Sequence, residues 1–185
     1  DRSSAASDVY KRQEDLATAR DTDPEKLSKG LLLKEQSVAP ITEDIVTLAA
    51  TAADDILTDE DKEAIDMVIL ATESGIDQSK AAAVFVHGLL DIQPFARSFE
   101  MKEACYAATA ALDYAKLHVE KFPQSKVLVI ASDIAKYGIG TPGEPTQGAG
   151  AVAMLISQNP RILSFNDDNV CLLYTSPSPR DLSTS

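Results

Sequence analysis

The sequence predicts an α/β protein with a layered architecture and a mainly parallel sheet. Two continuous apolar runs rich in β-branched residues, 67–71 and 126–132, are typical of strands that are buried on both faces. Segments with helical spacing of apolar residues, over 41–57 and 77–90, alternate with these runs. Such alternation indicates helices packed on the faces of a parallel sheet.

The predicted helices lie over 41–57, 58–65, 77–90 and 105–119. Thr42 and Thr58 are expected to cap the first two, because a threonine hydroxyl can accept a hydrogen bond from the first turn. Asp77 is expected to cap the third helix. The fourth helix ends before Pro123, since a proline disfavours helical geometry in the residue before it. Because this helix is apolar on nearly every side, we expect it to be buried all round.

The predicted strands lie over 67–71, 95–100, 126–132, 148–157 and 161–165. The last two are joined by a turn at 158–160. Between the strands over 126–132 and 148–157, the segment 136–148 is rich in glycine and proline and is predicted to be a shaped loop.

The two ends of the chain read as translated sequencing adapter. DVYKRQ at 8–13 and CLLYTS at 171–176 back-translate to near-perfect reverse complements, and both resemble the inverted ends of transposon-based adapters. We therefore predict that residues 1–13 and 171–185 are not native and that the native part is 14–170. A disordered Ser/Pro-rich tail is the alternative. Since adapter interrupts both ends, we expect the gene to continue on both sides.

Charge and cysteine content narrow the classes of function. The chain has a net charge of −12, and the set-aside ends carry four basic and three acidic residues, so 14–170 is near −13. A surface this acidic argues against nucleic-acid binding. Cys105 is the one cysteine left in 14–170, which favours a reducing, cytoplasmic location. No apolar run approaches the ~18 residues of a membrane span, so no membrane partner is expected.

Cys105 is the first candidate site residue. It lies at the start of an alanine-rich helix, where backbone N–H groups and the helix dipole stabilise a thiolate and where the same N–H groups can receive an oxyanion. A buried structural cysteine fits the same position, because free cysteine is among the most buried residue types. Position alone leaves both interpretations open.

Glu73 directly follows the strand over 67–71, at the edge of the sheet where ligands gather in α/β proteins. It would serve as a general acid or base if burial raised its pKa. The alternative is a solvated or helix-capping glutamate.

Other polar residues give weaker signals. The loop 143–151 brings Thr146 and backbone N–H groups within reach of a ligand, but it lacks the features of a phosphate loop. Asp133 either orders that loop or caps a turn. His87 and His118 are expected to be packed or exposed rather than catalytic, and no metal-ligand spacing is found.

Four blocks carry a family resemblance, in this order: DMVILATESGIDQSKAAAV, IQPFARSFEMKEACYAATAAL, KVLVIASDIAKYG and GEPTQGAGAVAMLI. They closely resemble the bacterial 3-hydroxy-3-methylglutaryl-CoA (HMG-CoA) synthases. The upstream segments DLATARDTDPEKL and SVAPITEDIV also look like this family, so the resemblance covers nearly all of 14–170.

The resemblance implies a thiolase-like fold, a layered αβαβα arrangement of two similar halves, of which this chain holds most of the first. It implies a cytoplasmic acyltransferase of the mevalonate pathway that condenses acetyl-CoA with acetoacetyl-CoA and needs no cofactor. Cys105 would carry the acetyl group as a thioester and Glu73 would remove a methyl proton. Asp23 and Thr146 would bind substrate. A homodimer is expected for the intact enzyme.

The departures from the family pattern also matter. The family's first strand is expected before Glu14, and its catalytic histidine is expected after Val170, both in the parts predicted to be adapter. The segment 28–37 lacks the glycine-rich form expected there. This chain alone is therefore expected to be inactive.

Two other functions remain as alternatives. The first is a ketoacyl-carrier-protein synthase III or a thiolase, which would lack the glutamate of the TES motif. The second is a non-catalytic half-domain that pairs or aggregates through uncovered sheet edges.

Overall fold

The computed structural model describes residues 2–6 and 10–165. Its helices are α1 Gln13–Ala19, α2 Pro24–Ser28, α3 Ile45–Asp54, α4 Asp59–Ala64, α5 Ala82–Leu89 and α6 Ala107–Lys121. Its strands are β1 Arg2–Ala6, β2 Tyr10–Arg12, β3 Glu35–Ser37, β4 Ile65–Ala71, β5 Arg97–Met101, β6 Lys126–Ala135 and β7 Gly148–Ile156. A single 3₁₀ turn, Glu144–Thr146, precedes β7.

In the described part of the chain, the main sheet has the strand order β1-β7-β6-β4-β5. The pairs β4–β5 and β4–β6 are parallel, whereas β7 is antiparallel to both β6 and β1. The predicted α/β class is confirmed, but the sheet is mixed rather than mainly parallel, because two of its four described strand pairings, both made by β7, are antiparallel. β2 and β3 pair separately, as a short antiparallel ribbon.

Helices cover both faces of this sheet. One face packs against α3 and α5, in an apolar cluster that includes Leu48, Val68 and Leu128. The other face packs against α6, where Ala111 and Ala115 meet Ile69. The small alanine side chains bring α6 close to the strands, which fixes the position of the segment before the helix. None of the described helices has the length and apolar character to span a membrane.

Because β4, β5 and β6 are parallel, their carboxyl ends meet at one edge of the sheet, called the carboxyl edge below. The connections that leave it are 72–81, 102–106 and 136–147. The opposite edge, where these strands begin, is called the amino edge. Glu73, Cys105, Lys136, Tyr137 and Thr146 all lie on these carboxyl-edge connections.

The first two predicted helices form with one difference in capping. α3 begins after Asp44 rather than after Thr42, because the Asp44 carboxylate accepts hydrogen bonds from Val46 N and Thr47 N while Thr47 Oγ1 accepts from Asp44 N. The two reciprocal hydrogen bonds between Asp44 and Thr47 are more favourable than the single bond that the Thr42 hydroxyl could make. For α4, the cap predicted at Thr58 is confirmed.

The third predicted helix begins later than expected. α5 starts at Ala82, because the Asp77 carboxylate accepts from Ser79 N and Lys80 N and closes a separate turn. The predicted cap at Asp77 is therefore wrong for this helix. Glu100, at the end of β5, accepts the hydrogen bond from Ala82 N instead, at 2.8 Å. A carboxylate from a neighbouring strand thus takes the capping position.

The predicted all-round burial of α6 is wrong for this chain. Its sheet-facing alanines are buried, but Tyr114 is 47% exposed and Leu117 is 65% exposed. A sheet covers only one side of a helix, and nothing in the described residues covers the other. The predicted end of the helix before Pro123 is confirmed, since α6 closes at Lys121.

Residues 161–165 do not form the predicted strand. β7 already pairs with β6 on one side and with β1 on the other, so it offers no free edge to a following strand. Ile162 and Leu163 are accordingly exposed. Of the residues predicted to be adapter, 171–185 lie outside the described residues.

The amino-terminal residues predicted to be adapter supply β1 and β2. Strand pairing uses backbone N–H and C=O groups, which any sequence offers. The pairing of β1 and β2 therefore does not test whether residues 1–13 come from an adapter, and that origin stays a prediction.

Candidate active site

Cys105 lies at the carboxyl edge, two residues before the first residue of α6, and its side chain is exposed. The preceding residue, Ala104, has a left-handed backbone with φ of 45°. Such a conformation is costly for a residue with a Cβ, and it turns the chain sharply between β5 and the helix. Exposure rather than burial makes Cys105 accessible to a substrate, which favours the nucleophile over the structural cysteine.

The helix-start N–H groups are not all free to bind an oxyanion as predicted. Tyr106 N donates to Glu103 O at 3.0 Å and Ala107 N donates to Ala104 O at 3.3 Å. These two donors are used by the tight turn that presents Cys105. Tyr106 N and Ala107 N are therefore not available as oxyanion donors in this conformation, and for the other N–H groups at the helix start the expected role stays a prediction.

Cys105 and Glu73 meet although 32 residues separate them. The Cys105 Sγ donates a hydrogen bond to Glu73 Oε1 at 3.6 Å. Glu73 follows β4 and Cys105 precedes α6, and the two residues meet because α6 packs directly on β4. Glu73 is exposed in this chain, whereas the acid or base role predicted for it from position alone required a buried carboxylate.

Asp133 holds the loop that carries Glu73. Its Oδ1 accepts hydrogen bonds from Thr72 Oγ1 at 2.8 Å, Glu73 N at 2.7 Å, Ser74 N at 3.1 Å and Ser74 Oγ at 2.9 Å. The structural role favoured for Asp133 is confirmed, but the loop that it orders follows β4 rather than β6. Charged hydrogen bonds of this kind fix geometry strongly.

A cavity of about 290 Å³ opens beside this loop, lined by Glu73, Ser74, Asp133, Ile134, Ala135, Lys136 and Tyr137. The sequence reasoning did not single out Lys136 or Tyr137. The sequence could have pointed to both residues, because they come directly after a buried parallel strand and hence lie at the carboxyl edge, where ligands bind in α/β proteins.

Thr146 lies in the 3₁₀ turn of the connection 136–147, and its Oγ1 donates to Gly143 O at 2.9 Å. A side chain at Gly143 would sit 2.8 Å from Tyr137 Cβ, so the turn packs directly on a residue that lines the cavity. Thr146 itself is not among the residues that line the cavity, and its part in binding substrate stays a prediction.

A buried ion pair fixes the same turn. Arg20 Nε and Nη2 donate to Glu144 Oε2 and Oε1 at 2.9 and 2.7 Å, and Gly140 N donates to Glu144 Oε2 at 2.7 Å. The hydrogen bond from Arg20 lowers the pKa of Glu144 to about 2, with Gly140 N–H acting in the same direction. The sequence reasoning missed both charged residues, because their pairing spans 124 positions.

Asp23 is the N-cap of α2, where its Oδ1 accepts from Glu25 N at 2.9 Å. The side chain is exposed. The structure gives Asp23 a local role in its own helix, and its part in binding substrate stays a prediction.

The two histidines lie away from Cys105, as expected. His118 is buried at the amino edge, with Nε2 3.2 Å from both carboxylate oxygens of Asp66. His87 Nε2 is 3.0 Å from Gln93 O. Among the described residues, no three His, Cys, Asp or Glu side chains are arranged to hold a metal ion.

A comparison with protein families and a comparison with individual proteins identify the same family. The family described as "Hydroxymethylglutaryl-coenzyme A synthase N terminal" matches residues 6–161. The hydroxymethylglutaryl-CoA synthase of Enterococcus faecalis is 64% identical over 157 residues, which cover 85% of this chain and 41% of that protein.

Solved structures agree with the sequence matches. An HMG-CoA synthase complexed with CoA superposes with a TM-score of 0.85 at 69% identity, covering 86% of this chain and 41% of the other. MvaS in complex with 3-hydroxy-3-methylglutaryl coenzyme A gives a TM-score of 0.80 at 42% identity, covering 85% and 38%. The chain therefore spans about two fifths of the length of the relatives that it matches.

These neighbours confirm the expected thiolase-like fold, of which the chain contains a first part. They also favour the predicted synthase over a ketoacyl synthase or a thiolase. The chain belongs to the hydroxymethylglutaryl-CoA synthase family.

Proposed function

We propose that this chain supplies the acyl-accepting cysteine and the carboxylate base of an HMG-CoA synthase, in which acetyl-CoA, acetoacetyl-CoA and water give HMG-CoA and CoA. The observation that carries the proposal is the contact of 3.6 Å between Cys105 Sγ and Glu73 Oε1. Relatives of the chain include proteins solved with CoA and with HMG-CoA, which supports CoA thioesters as substrates.

The first half-reaction places the acetyl group on Cys105. The sulfur attacks the carbonyl carbon of acetyl-CoA, the carbon–sulfur bond to CoA breaks, and CoA leaves as the thiol. Thiolates suit this exchange because they both attack and leave readily. The Glu73 carboxylate already accepts the hydrogen bond of the thiol, so it is placed to receive that proton. It then gives the proton to the departing CoA sulfur, which leaves Glu73 as a carboxylate for the next step.

In the second half-reaction a carbon–carbon bond forms. The methyl group of the acetyl thioester lies two bonds from Sγ, within reach of the carboxylate that touches the sulfur. Glu73 removes a methyl proton, which is acidic because sulfur donates weakly into the carbonyl. The resulting enolate attacks the ketone of acetoacetyl-CoA, and the alkoxide takes a proton from the histidine that the family resemblance implies in the rest of the protein. Water then cleaves the thioester and restores the thiol.

Asp23 and Thr146 are proposed to bind the substrates, and a homodimer and a cytoplasmic location are proposed for the intact protein. No bound cofactor is required, because each step uses protein groups and the two thioesters. The acidic composition also makes nucleic acid an unsuitable partner.

The test uses a hybrid enzyme in which residues 14–165 replace the matching segment of the Enterococcus faecalis relative. The hybrid is expected to condense the two substrates, whereas the 185-residue chain alone is expected not to. Cys105→Ser should abolish labelling of the hybrid by radioactive acetyl-CoA. Glu73→Ala should still be labelled but should form no HMG-CoA. Condensation by the Glu73→Ala hybrid would remove the base assignment, and an inactive parent hybrid would remove the proposed function.

A further inference from the structure

We propose that the ion pair between Arg20 and Glu144 is a positioning device that sets the distance between the two substrate-binding segments. Arg20 lies three residues before Asp23, and Glu144 lies two residues before Thr146. The inference rests on the proposed function, since Asp23 and Thr146 matter here as residues that bind substrate.

The geometry of the pair is restrictive. Two nitrogens of the Arg20 guanidinium meet the two oxygens of the Glu144 carboxylate, at 2.9 and 2.7 Å. A two-point contact of planar groups fixes orientation as well as distance, which a single-point contact does not. Arg20 follows α1 directly, so the pair connects a rigid helix end to the connection 136–147.

Burial makes the contact hard to give up. The Glu144 side chain is 4% exposed, and Arg20 is 32% exposed. A buried carboxylate that lost its guanidinium would remain desolvated without a counter-charge, which is strongly unfavourable. The third donor, Gly140 N, lies within the same connection and has a left-handed φ of 72°. Glu144 therefore holds the connection 136–147 in a fixed shape through Gly140 and also joins it to the end of α1 through Arg20.

Short hydrogen-bonded turns carry the constraint from each partner toward the proposed substrate site. On one side, Thr22 N donates to Ala17 O and Thr22 Oγ1 donates to Arg20 O, just before Asp23, the N-cap of α2. On the other side, Thr146 N and Oγ1 both bond to Gly143 O. Neither path includes a stretch of unrestrained chain, so a shift of the ion pair shifts both segments.

A second buried ion pair provides the matched control. Lys126 Nζ lies 2.6 Å from Asp61 Oδ1 at the amino edge, with side-chain exposures of 28% and 14%. This pair joins α4 to the start of β6, far along the chain from any proposed substrate residue. If ion pairs in this fold act only through stability, breaking either pair should have the same consequences.

The experiment compares Arg20→Met, Arg20→Lys and Glu144→Gln with Lys126→Met, all in the hybrid enzyme. For the Arg20 and Glu144 variants we expect the KM for acetoacetyl-CoA to rise at least about 10-fold, because a displacement of about 1 Å can cost about 100-fold. At saturating acetyl-CoA, the rate of Cys105 acetylation should stay close to the parent rate, because the Cys105–Glu73 contact does not include Arg20 or Glu144. Arg20→Lys should be the mildest of the three variants. Lys126→Met should lower the unfolding midpoint without changing KM.

Equal KM values in the parent and the Arg20→Met hybrid would overturn the proposal, as would a loss of activity that merely follows the folded fraction. The milder Arg20→Lys and Glu144→Gln variants keep the test decisive if Arg20→Met does not fold. Amide hydrogen exchange gives a readout without catalysis: in Glu144→Gln, Gly140 and Thr146 should exchange faster than in the parent. Unchanged exchange at both amides would also overturn the proposal, whereas an inactive parent hybrid bears only on the proposed function.

Discussion

The two edges of the main sheet contain similar polar residues in different arrangements. At the amino edge, the Asp66 carboxylate receives Ser125 Oγ at 2.7 Å and His118 Nε2 at 3.2 Å, and these contacts close the edge. At the carboxyl edge, Asp133 also gathers hydrogen bonds, but the loop that it orders presents Glu73 to Cys105. The same chemistry stabilises one edge and positions reactive groups at the other.

The backbone differs only in part between the two edges. Ala104, Gly138 and Gly140 all have positive φ, and all belong to carboxyl-edge connections. At the amino edge, Thr58 and Asp61 form a regular capping box. Asp91, in the connection that leads to the amino edge, also has a positive φ of 53°, so positive φ alone does not distinguish the edges. What distinguishes the carboxyl edge is that Ala104 adopts this conformation directly before Cys105, as is common at functional sites.

The largest expected effect comes from removing the carboxyl-edge acceptor. Asp133→Ala in the hybrid removes the acceptor of the buried Thr72 hydroxyl and of Glu73 N, so Glu73 should move relative to Cys105. We expect kcat for condensation to fall by about 100-fold. Asp133→Asn keeps an acceptor oxygen in place and should lose much less. Steady-state kinetics of both variants give the measurement.

Asp66→Ala is the amino-edge control for that experiment. It removes the acceptor of Ser125 and His118, so the free energy of unfolding should fall by about 1–3 kcal/mol. Its kcat and KM should match the parent. If Asp66→Ala impaired condensation as strongly as Asp133→Ala, the functional contrast between the edges would be wrong.

A smaller effect is expected from the left-handed residue beside the cysteine. Ala104→Gly relieves the cost of a Cβ at φ 45° and should stabilise the hybrid by about 1 kcal/mol. Ala110→Gly, within α6, should destabilise it by about 1 kcal/mol, because glycine is a poor helix former. Urea unfolding of both variants measures the effects, and two changes of the same sign would contradict the strain at Ala104.

The last expected effect is a difference in acid sensitivity. The pKa of Glu144 is lowered to about 2 from 4.5, so its carboxylate contributes stability above pH 4.5 and loses it as the pH falls toward 2. Asp61 behaves alike at the amino edge: burial raises its pKa, but hydrogen bonds from Lys126 and Thr58 outweigh burial and lower it. Glu144→Gln and Asp61→Asn should each flatten the fall of stability with acid.

Unfolding midpoints measured at several pH values between 2 and 5 test this expectation, with the exposed Asp113→Asn as the control. Glu144→Gln is also expected to change KM, whereas Asp61→Asn is not. A slope in Glu144→Gln equal to that of the parent would contradict the protective role of the ion pair.

The sequence predicts the central strands well, because a buried parallel strand such as β4 or β6 is a continuous apolar run. Prediction is weaker where polar side chains compete for backbone groups. Thr42 and Asp44 are both plausible caps, and the reciprocal bond with Thr47 selects Asp44. Asp77 has the composition of a helix cap, but its carboxylate closes an earlier turn.

In the candidate site, too, some residues could be predicted from the sequence and others could not. Cys105 and Glu73 could each be proposed from their positions next to a helix and a strand, but local spacing left the alternatives open and the family resemblance favoured the catalytic ones. The contact between them depends on how β4 and α6 pack. Arg20 and Glu144 carry no local signal at all, because each looks like an ordinary surface charge until the fold brings them together.

The reversed direction of β7 has a consequence for how the protein can change. Because β7 starts at the edge where β6 ends, the connection 136–147 leaves and re-enters the sheet on the same side and needs no crossover. The entropy cost of a longer loop grows slowly with its length. Insertions between Tyr137 and Gly140, ahead of the Glu144 anchor, should therefore be tolerated without disturbing strand register. That short stretch is where an engineer can reshape the rim of the cavity while keeping the cysteine and its carboxylate in place.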